Sequence, residues 1–404
     1  MRGILDGIRI VDWTVFQVGP FAAAMLADLG ADVVHVESPE GDLLRGLRSA
    51  GLDPMREGRH VHFEEHNRNK RGIAVDLKTE AGREVLYRLV GTADVFMTNL
   101  RPKAITKLGM DADTLRRHRA DLIYAQATAF GRNGPDRDLP SVDPIGLARS
   151  GMMLASGFAG DPPTPISVGT GDRATAFMLA YGILGALLGR ERFGIVQDVH
   201  TSMLGACLVL HGWTVLAPLL MGEEYPRPAR PDGDRDQGAM VPTFRCADGR
   251  WIMISVMTDA HWAQFREALP GDAVLADPRF RTIAGRIEDQ TVLEEVLTAL
   301  FLTRNAGAWA DLFRERAPDI YFTQVHTPAD LASDSQVKLN DYIVDWDHPA
   351  WGVVPWIGFP VDWSETPAQL RSPAPEHGEH TEAILQEIGY SWDAIGKLKD
   401  DGVI

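Results

Sequence analysis

A chain of 404 residues that is 45% hydrophobic and 24% charged has the composition of a globular protein, long enough to bury one large core and a smaller second one. Its 40 basic and 56 acidic side chains leave a formal charge of -16, which excludes a general affinity for nucleic acid or an anionic membrane; any polyanionic ligand must be met by local cations. Cys207 and Cys246 have no metal-like spacing and Met1-Arg-Gly-Ile-Leu-Asp6 holds no apolar signal run, so the expected compartment is a reducing cytoplasm.

Strand and helix signals alternate through the first half. Residues 7–12 read as a short buried strand, 20–29 as a helix with proline near its first turn, and 32–37 as the next strand. The pattern repeats with a strand at 72–76, a helix at 79–90, and strands at 94–97 and 121–126. Such alternation predicts a parallel sheet covered by helices, with ligands at the carboxyl ends of its strands. The most apolar segment, Ala174 to Leu188, is at about fifteen residues too short to span a bilayer and reads as a buried core helix. Residues 226–237 are proline-rich, charged and without periodicity, which marks a linker or loop at a domain boundary. Beyond it, 243–256 reads as a hairpin around Asp248-Gly249, and 260–268, 290–302 and 379–388 read as helices.

The chemistry-bearing residues fall in the loops. Asp172, in Ser167-Val-Gly-Thr-Gly-Asp-Arg-Ala-Thr175, stands at the entrance of the apolar helix, where unpaired N–H groups would keep a carboxylate ionised and glycines would admit a bulky ligand. It reads either as a carboxylate nucleophile or as an ordinary N-cap. The loop Trp13-Thr-Val-Phe-Gln-Val-Gly-Pro20 lacks the Gly-x-Gly-x-x-Gly spacing of a dinucleotide fingerprint, while Phe16 and Val18 are placed either to line a slot for a thin apolar chain or to pack on the sheet. Asn67-Arg-Asn-Lys-Arg-Gly72 offers donors for phosphates or forms a solvated basic turn, and Asn99-Leu-Arg-Pro102 and Lys107 add polar donors. His60, His62 and His66 read as a polar loop, and no metal site is expected.

Taken together, Gly7-Ile-Arg-Ile-Val-Asp12, Gly19-Pro20, Leu26-Ala-Asp-Leu-Gly-Ala-Asp-Val-Val34, Gly41-Asp42, Asn69-Lys-Arg71, Asp76-Leu-Lys78, Asn99-Leu-Arg-Pro102, Gly131-Arg-Asn-Gly-Pro135, Gly171-Asp172 and Pro373-Ala-Pro-Glu-His-Gly-Glu-His-Thr381 resemble, in order and spacing, the class III CoA-transferases of the formyl-CoA and carnitine-CoA type. The resemblance runs from about residue 5 to the C-terminus. It implies an α/β fold: a Rossmann-like parallel sheet in a large domain (1–220, resumed at 334–404), a smaller α+β domain (221–333), and an interlocked homodimer. It implies transfer of coenzyme A from an acyl-CoA thioester to a carboxylic acid, with no tightly bound cofactor and with Asp172 forming acyl-anhydride and thioester intermediates. The matching positions assign coenzyme A contacts to Phe16, Gln17 and Val18, to Arg71, Val75 and Lys78, and to Asn99, Leu100 and Lys107. Acyl-CoA racemases of the same family carry a Gly-His-Asp stretch where this chain has Ser141-Val-Asp143; Val142 moves no proton, which favours transfer over racemisation. An acyl-CoA lyase or hydrolase of the same family, or a non-catalytic CoA-ester binding protein, is also compatible with these residues. The chain departs from the formyl-CoA transferases in Pro231-Asp-Gly-Asp-Arg-Asp-Gln-Gly238, whose glycines are separated rather than consecutive.

Overall fold

A computed structural model describes residues 2–47, 55–224, 227, 243–269 and 275–404. The expected linker at 226–237, apart from Arg227, and the glycine-poor loop at 231–238 lie outside the described residues. The chain forms two compact units, one of Met1–Ser156, Pro163–Glu223 and Val344–Ile404, the other of Gly157–Pro162 and Glu224–Ile343.

The first unit is built on six parallel strands: β1 (Arg9–Trp13), β2 (Asp32–Glu37), β3 (Arg71–Ala74), β4 (Val95–Thr98), β5 (Ile123–Thr128) and β6 (Asp198–Ser202), in the order β3-β2-β1-β4-β5-β6. Side chains along each strand alternate between two apolar layers, as a period of two demands. Ile10, Val33, Val95, Met97, Ile123 and Ala125 face one layer with helices Val18–Asp28 and Thr170–Phe193. Val11, Val34, Ile73, Phe96 and Tyr124 face the other, with helix Glu80–Val90 and the C-terminal helices Thr381–Glu387 and Trp392–Asp400. The chain runs outward from β1 to β3 and then returns to β4 on the other side of β1. The carboxyl ends of β1 and β4 therefore flank the point where strand order reverses, where open sheets of this kind leave a crevice.

Helix Thr170–Phe193 differs from its expected role as a fully buried helix. Ala176, Leu179, Ala180, Ile183 and Leu187 face the core, but Phe177, Tyr181 and Leu188 on other faces are exposed, Tyr181 by 75%. The exposed apolar surface continues on Met203–Leu210 and Gly212–Met221, where Val209, Trp213 and Leu219 are bare. Among the described residues no single helix is long and apolar enough to cross a membrane, although this bent pair passes by length and composition together.

In the second unit, Thr243–Arg245 and Trp251–Ser255 form the expected hairpin, and Tyr321–Gln324 adds an antiparallel third strand. Helices Asp259–Ala268, Gln290–Phe301 and Ala306–Arg316 cover it through an aromatic core of Phe244, Trp262, Phe265, Phe301, Trp309 and Phe313.

The basic stretch at 67–72 is neither a solvated turn nor a set of free phosphate donors. Arg68 pairs with Asp28 at 2.6 Å and Lys70 with Asp12 at 2.7 Å, all four buried. Asp12 also meets His35 Nδ1 at 3.0 Å, and Lys70 donates to Asn67 Oδ1 at 2.8 Å. Burial alone would raise the Asp12 carboxyl, but Lys70 and His35 outweigh it and hold it far below the usual carboxylate range. Removing one member leaves the other charge buried without compensation. Asp12→Ala is accordingly expected to lower the unfolding free energy by roughly 3 to 5 kcal/mol, read as a shift of the urea denaturation midpoint.

Candidate active site

Helix Thr170–Phe193 starts from Gly169, whose φ of 83° is a left-handed conformation that glycine adopts without strain. A Cβ there would also come within 3.2 Å of Gln17 Oε1, so this turn lies against the loop that follows β1. A Cβ at Gly171 would stand 3.0 Å from Asp143 Oδ1 and 3.1 Å from Cys207 Sγ. Both glycines flanking Thr170 thus serve close approach, and Asp172 follows them in the helix's first turn.

The N-cap reading of Asp172 does not hold. Two amide hydrogens at this helix start are taken by Asp143: Gly169 N donates to its Oδ2 and Asp172 N to its Oδ1, each at 3.0 Å. Asp143 opens helix Asp143–Arg149 and is only 5% exposed. Its helix is seated tightly, since a Cβ on Gly146 would collide with the Met203 side chain. The Asp172 carboxylate itself makes no hydrogen bond among the described residues.

Its charge state follows from that arrangement. Burial, reinforced by the Asp143 carboxylate and opposed by Arg173, pushes the Asp172 carboxyl up to about 7. The expectation that the helix entrance would keep Asp172 readily ionised is thereby corrected, because burial and the Asp143 carboxylate outweigh the charges that favour ionisation. Arg173 offsets little, since its guanidinium donates to both oxygens of Glu65 at 2.7 Å and lies 3.8 Å over the Phe21 ring. Burial also pushes the thiol of Cys207, beside Gly171, up.

The other expected site residues separate into groups. Phe16 follows β1 with a φ of 61°, is 38% exposed, and donates its N–H to Asp42 Oδ2 at 3.3 Å; Gln17 precedes the next helix and Val18 begins it, buried. Asn99, after β4, spends its amide on the neighbouring loop, accepting from Val15 N at 2.9 Å and donating to Val15 O at 2.7 Å. Leu100 packs on the second apolar layer, and Lys107 is exposed in the last turn of Pro102–Leu108. After β3, Val75 is buried with its N–H on Glu37 O, and Lys78 is exposed. Except for Lys107, these follow the carboxyl ends of β1, β3 and β4 in the chain. Arg71 does not join them: it sits at the amino end of β3 and its guanidinium is occupied by Asp32 at 2.8 Å and Glu387 at 2.6 Å.

Two groups escaped the sequence reading. Asp143 entered it only as the neighbour of Val142, although an Asp-Pro pair at a helix start is a detectable signal; nothing marked Glu65 as the partner of Arg173. The three histidines are not in a polar loop either: His60 caps helix Val61–Asn67 and His66 is fully buried within it.

Residues 5–381 match CoA-transferase family III. The chain belongs to this family. It is 28% identical over 403 residues to (R)-2-hydroxy-4-methylpentanoate CoA-transferase of Clostridioides difficile, covering 99% of each chain. With succinyl-CoA:mesaconate CoA-transferase of Haloarcula hispanica it shares 33% identity over 96% of this chain and 97% of the other. The crystal structure of a CAIB/BAIF family protein from Brucella suis superposes with a TM-score of 0.83 at 29% identity, covering 96% of this chain and all of that one. The chain is therefore an enzyme, a family III CoA-transferase that moves coenzyme A from an acyl thioester to a carboxylic acid.

The raised carboxyl fixes a sign for the stability of this CoA-transferase. Relative to an ordinary value of 3.8, folding favours protonated Asp172, so its contribution is fully present below about pH 4 and is lost as pH rises through about 7. Asp172→Asn is expected to melt higher than the native enzyme at about pH 8, with the difference shrinking toward about pH 5, as thermal denaturation at the two pH values would register.

Proposed function

We propose that Asp172 is the nucleophile of coenzyme A transfer. The observation that carries this reading is a carboxylate held at the first turn of a helix with no hydrogen bond to quench it, beside the loop after β1. Ionised Asp172 attacks the carbonyl of the donor acyl-CoA; the tetrahedral adduct collapses with cleavage of the C–S bond, releasing the coenzyme A thiolate and leaving an acyl-aspartyl anhydride. The thiolate then attacks the Asp172 carbonyl, the donor leaves as a free carboxylate, and an aspartyl-CoA thioester remains. An acceptor carboxylate attacks that thioester, and the thiolate returns to the new acyl group, which regenerates Asp172. The energy of the thioester is retained throughout, so no nucleotide is consumed.

The coenzyme A contacts proposed with this chemistry are Phe16, Gln17 and Val18 for the pantetheine arm, and Val75, Lys78, Asn99, Leu100 and Lys107 for the remainder. Arg71 is left out because its guanidinium is already bound by two carboxylates. The division into a Rossmann-like large domain and a smaller α+β domain belongs to the same reading, supported by the 3-2-1-4-5-6 strand order and the two compact units. An interlocked homodimer is proposed because bare apolar side chains along Thr170–Phe193, Met203–Leu210 and Gly212–Met221 need cover in water. Two free, buried cysteines support a cytoplasmic setting.

Asp172→Ala is expected to bind coenzyme A normally by calorimetry and to lose transfer by at least about 1,000-fold. Mass spectrometry of native enzyme incubated with acyl-CoA should find a hydroxylamine-sensitive adduct on the peptide containing Asp172. Transfer at native rates by the alanine variant would sink the assignment. Where deprotonation of Asp172 limits the reaction, kcat/KM should rise with pH through a midpoint near 7.

A further inference from the structure

We propose that Asp143 is a positioning residue for the transfer reaction: by accepting the amide hydrogens of Gly169 and Asp172, it keeps the helix from capturing the Asp172 carboxylate and leaves that carboxylate free to attack. The inference rests on Asp172 being the nucleophile and adds a second residue to that site.

A helix start has amide hydrogens without partners, and an aspartate in the first turn is well placed to fold back onto them or to be stabilised by their partial charge. A carboxylate so engaged is a poor nucleophile, because each donated hydrogen bond stabilises its charge and lowers its basicity. In this protein two of these donors are met from another helix. Both oxygens of Asp143 are used, Oδ2 by Gly169 N and Oδ1 by Asp172 N, each at 3.0 Å. The packing around it is tight: a Cβ on Gly171 would stand 3.0 Å from Asp143 Oδ1, and one on Gly146 would displace the Met203 side chain. Asp143 also places a second negative charge next to Asp172, which raises the basicity of the attacking oxygen.

Among the described residues, Asp143 faces Asp172 from helix Asp143–Arg149, Cys207 from Met203–Leu210, and Arg173 from its own helix with Glu65 of Val61–Asn67 bound to the guanidinium. Of these charges, Asp143 is the one that both touches the Asp172 backbone and opposes ionisation of its side chain.

The test is Asp143→Asn in the full-length enzyme, which keeps the shape, removes the charge, and can accept from only one of the two amides. Its kcat is expected to fall by about 10- to 100-fold with KM for acyl-CoA within about twofold of native, and the acidic limb of the kcat/KM profile should move down by about one pH unit. A residue serving the fold alone would reduce the amount of active enzyme without moving that limb. A profile within about 0.3 pH unit of native, with kcat unchanged, overturns the proposal. Should the variant fail to fold, the native enzyme decides: single-turnover formation of the hydroxylamine-sensitive adduct should titrate near pH 7, and a midpoint near 4 overturns the proposal. Absence of any adduct on Asp172 in native enzyme would instead refute the nucleophile assignment, so the two failures are separable.

Discussion

Whoever accepts the first amide hydrogens of a helix decides what an acidic side chain in its opening turn can do. At the start of Thr170–Phe193 that acceptor is Asp143, a carboxylate from another helix, 26 and 29 positions earlier in the chain. The consequence is a carboxyl group, Asp172, that is partly buried, close to a like charge and without a hydrogen bond. Each of these conditions costs stability, and Arg173, bound to Glu65, offsets only part of it. Such a residue persists because the surrounding packing over-determines its position, through Gly169 in a left-handed conformation, Gly171 against Cys207, and Gly146 against Met203.

The sheet supplies that rigidity. Alternating side chains on β1, β2, β4 and β5 fill two apolar layers, and the cations between them are locked to aspartates on the sheet or its first helix: Lys70 to Asp12, Arg68 to Asp28, Arg71 to Asp32. These pairs cost desolvation and gain geometry. At the carboxyl ends, Asn99 ties the turn after β4 to the turn after β1 through both polar atoms of its amide. Phe16 and Gln17 therefore stand on a braced loop beside the helix that carries Asp172.

Much of this was readable in the chain itself. Strands at 9–13, 32–37, 71–74, 95–98 and 123–128 carry dense runs of β-branched and apolar residues, and the helix at 80–90 has a clear amphipathic stripe, so local pattern and final structure agree. The polar edge strand Asp198–Ser202 carries no such pattern and went unseen, because its place is set by pairing with β5 rather than by burial. The fate of the basic stretch was equally illegible: whether Arg71 binds phosphate or carboxylate depends on Glu387, 316 positions away. The position of Asp172 in the first turn of an apolar helix is legible in the sequence, but its ionisation is not, because Asp143, 29 positions earlier, takes part of the helix entrance.

The closing segment of the chain has a bearing on how the protein is made. Residues 344–404 return to the strands synthesised first: Ser372 O accepts from Asn69 N, His380 N donates to Gly72 O, Val403 O accepts from Asp76 N, and Glu387 binds both Arg9 and Arg71. The whole second unit is translated in between, which at ordinary ribosome speeds takes on the order of ten seconds. Throughout that interval the nascent β3 has no cover on its outer edge and the Arg9 and Arg71 guanidiniums lack one of their carboxylates. The first unit is completed only once residues 344–404 have been translated.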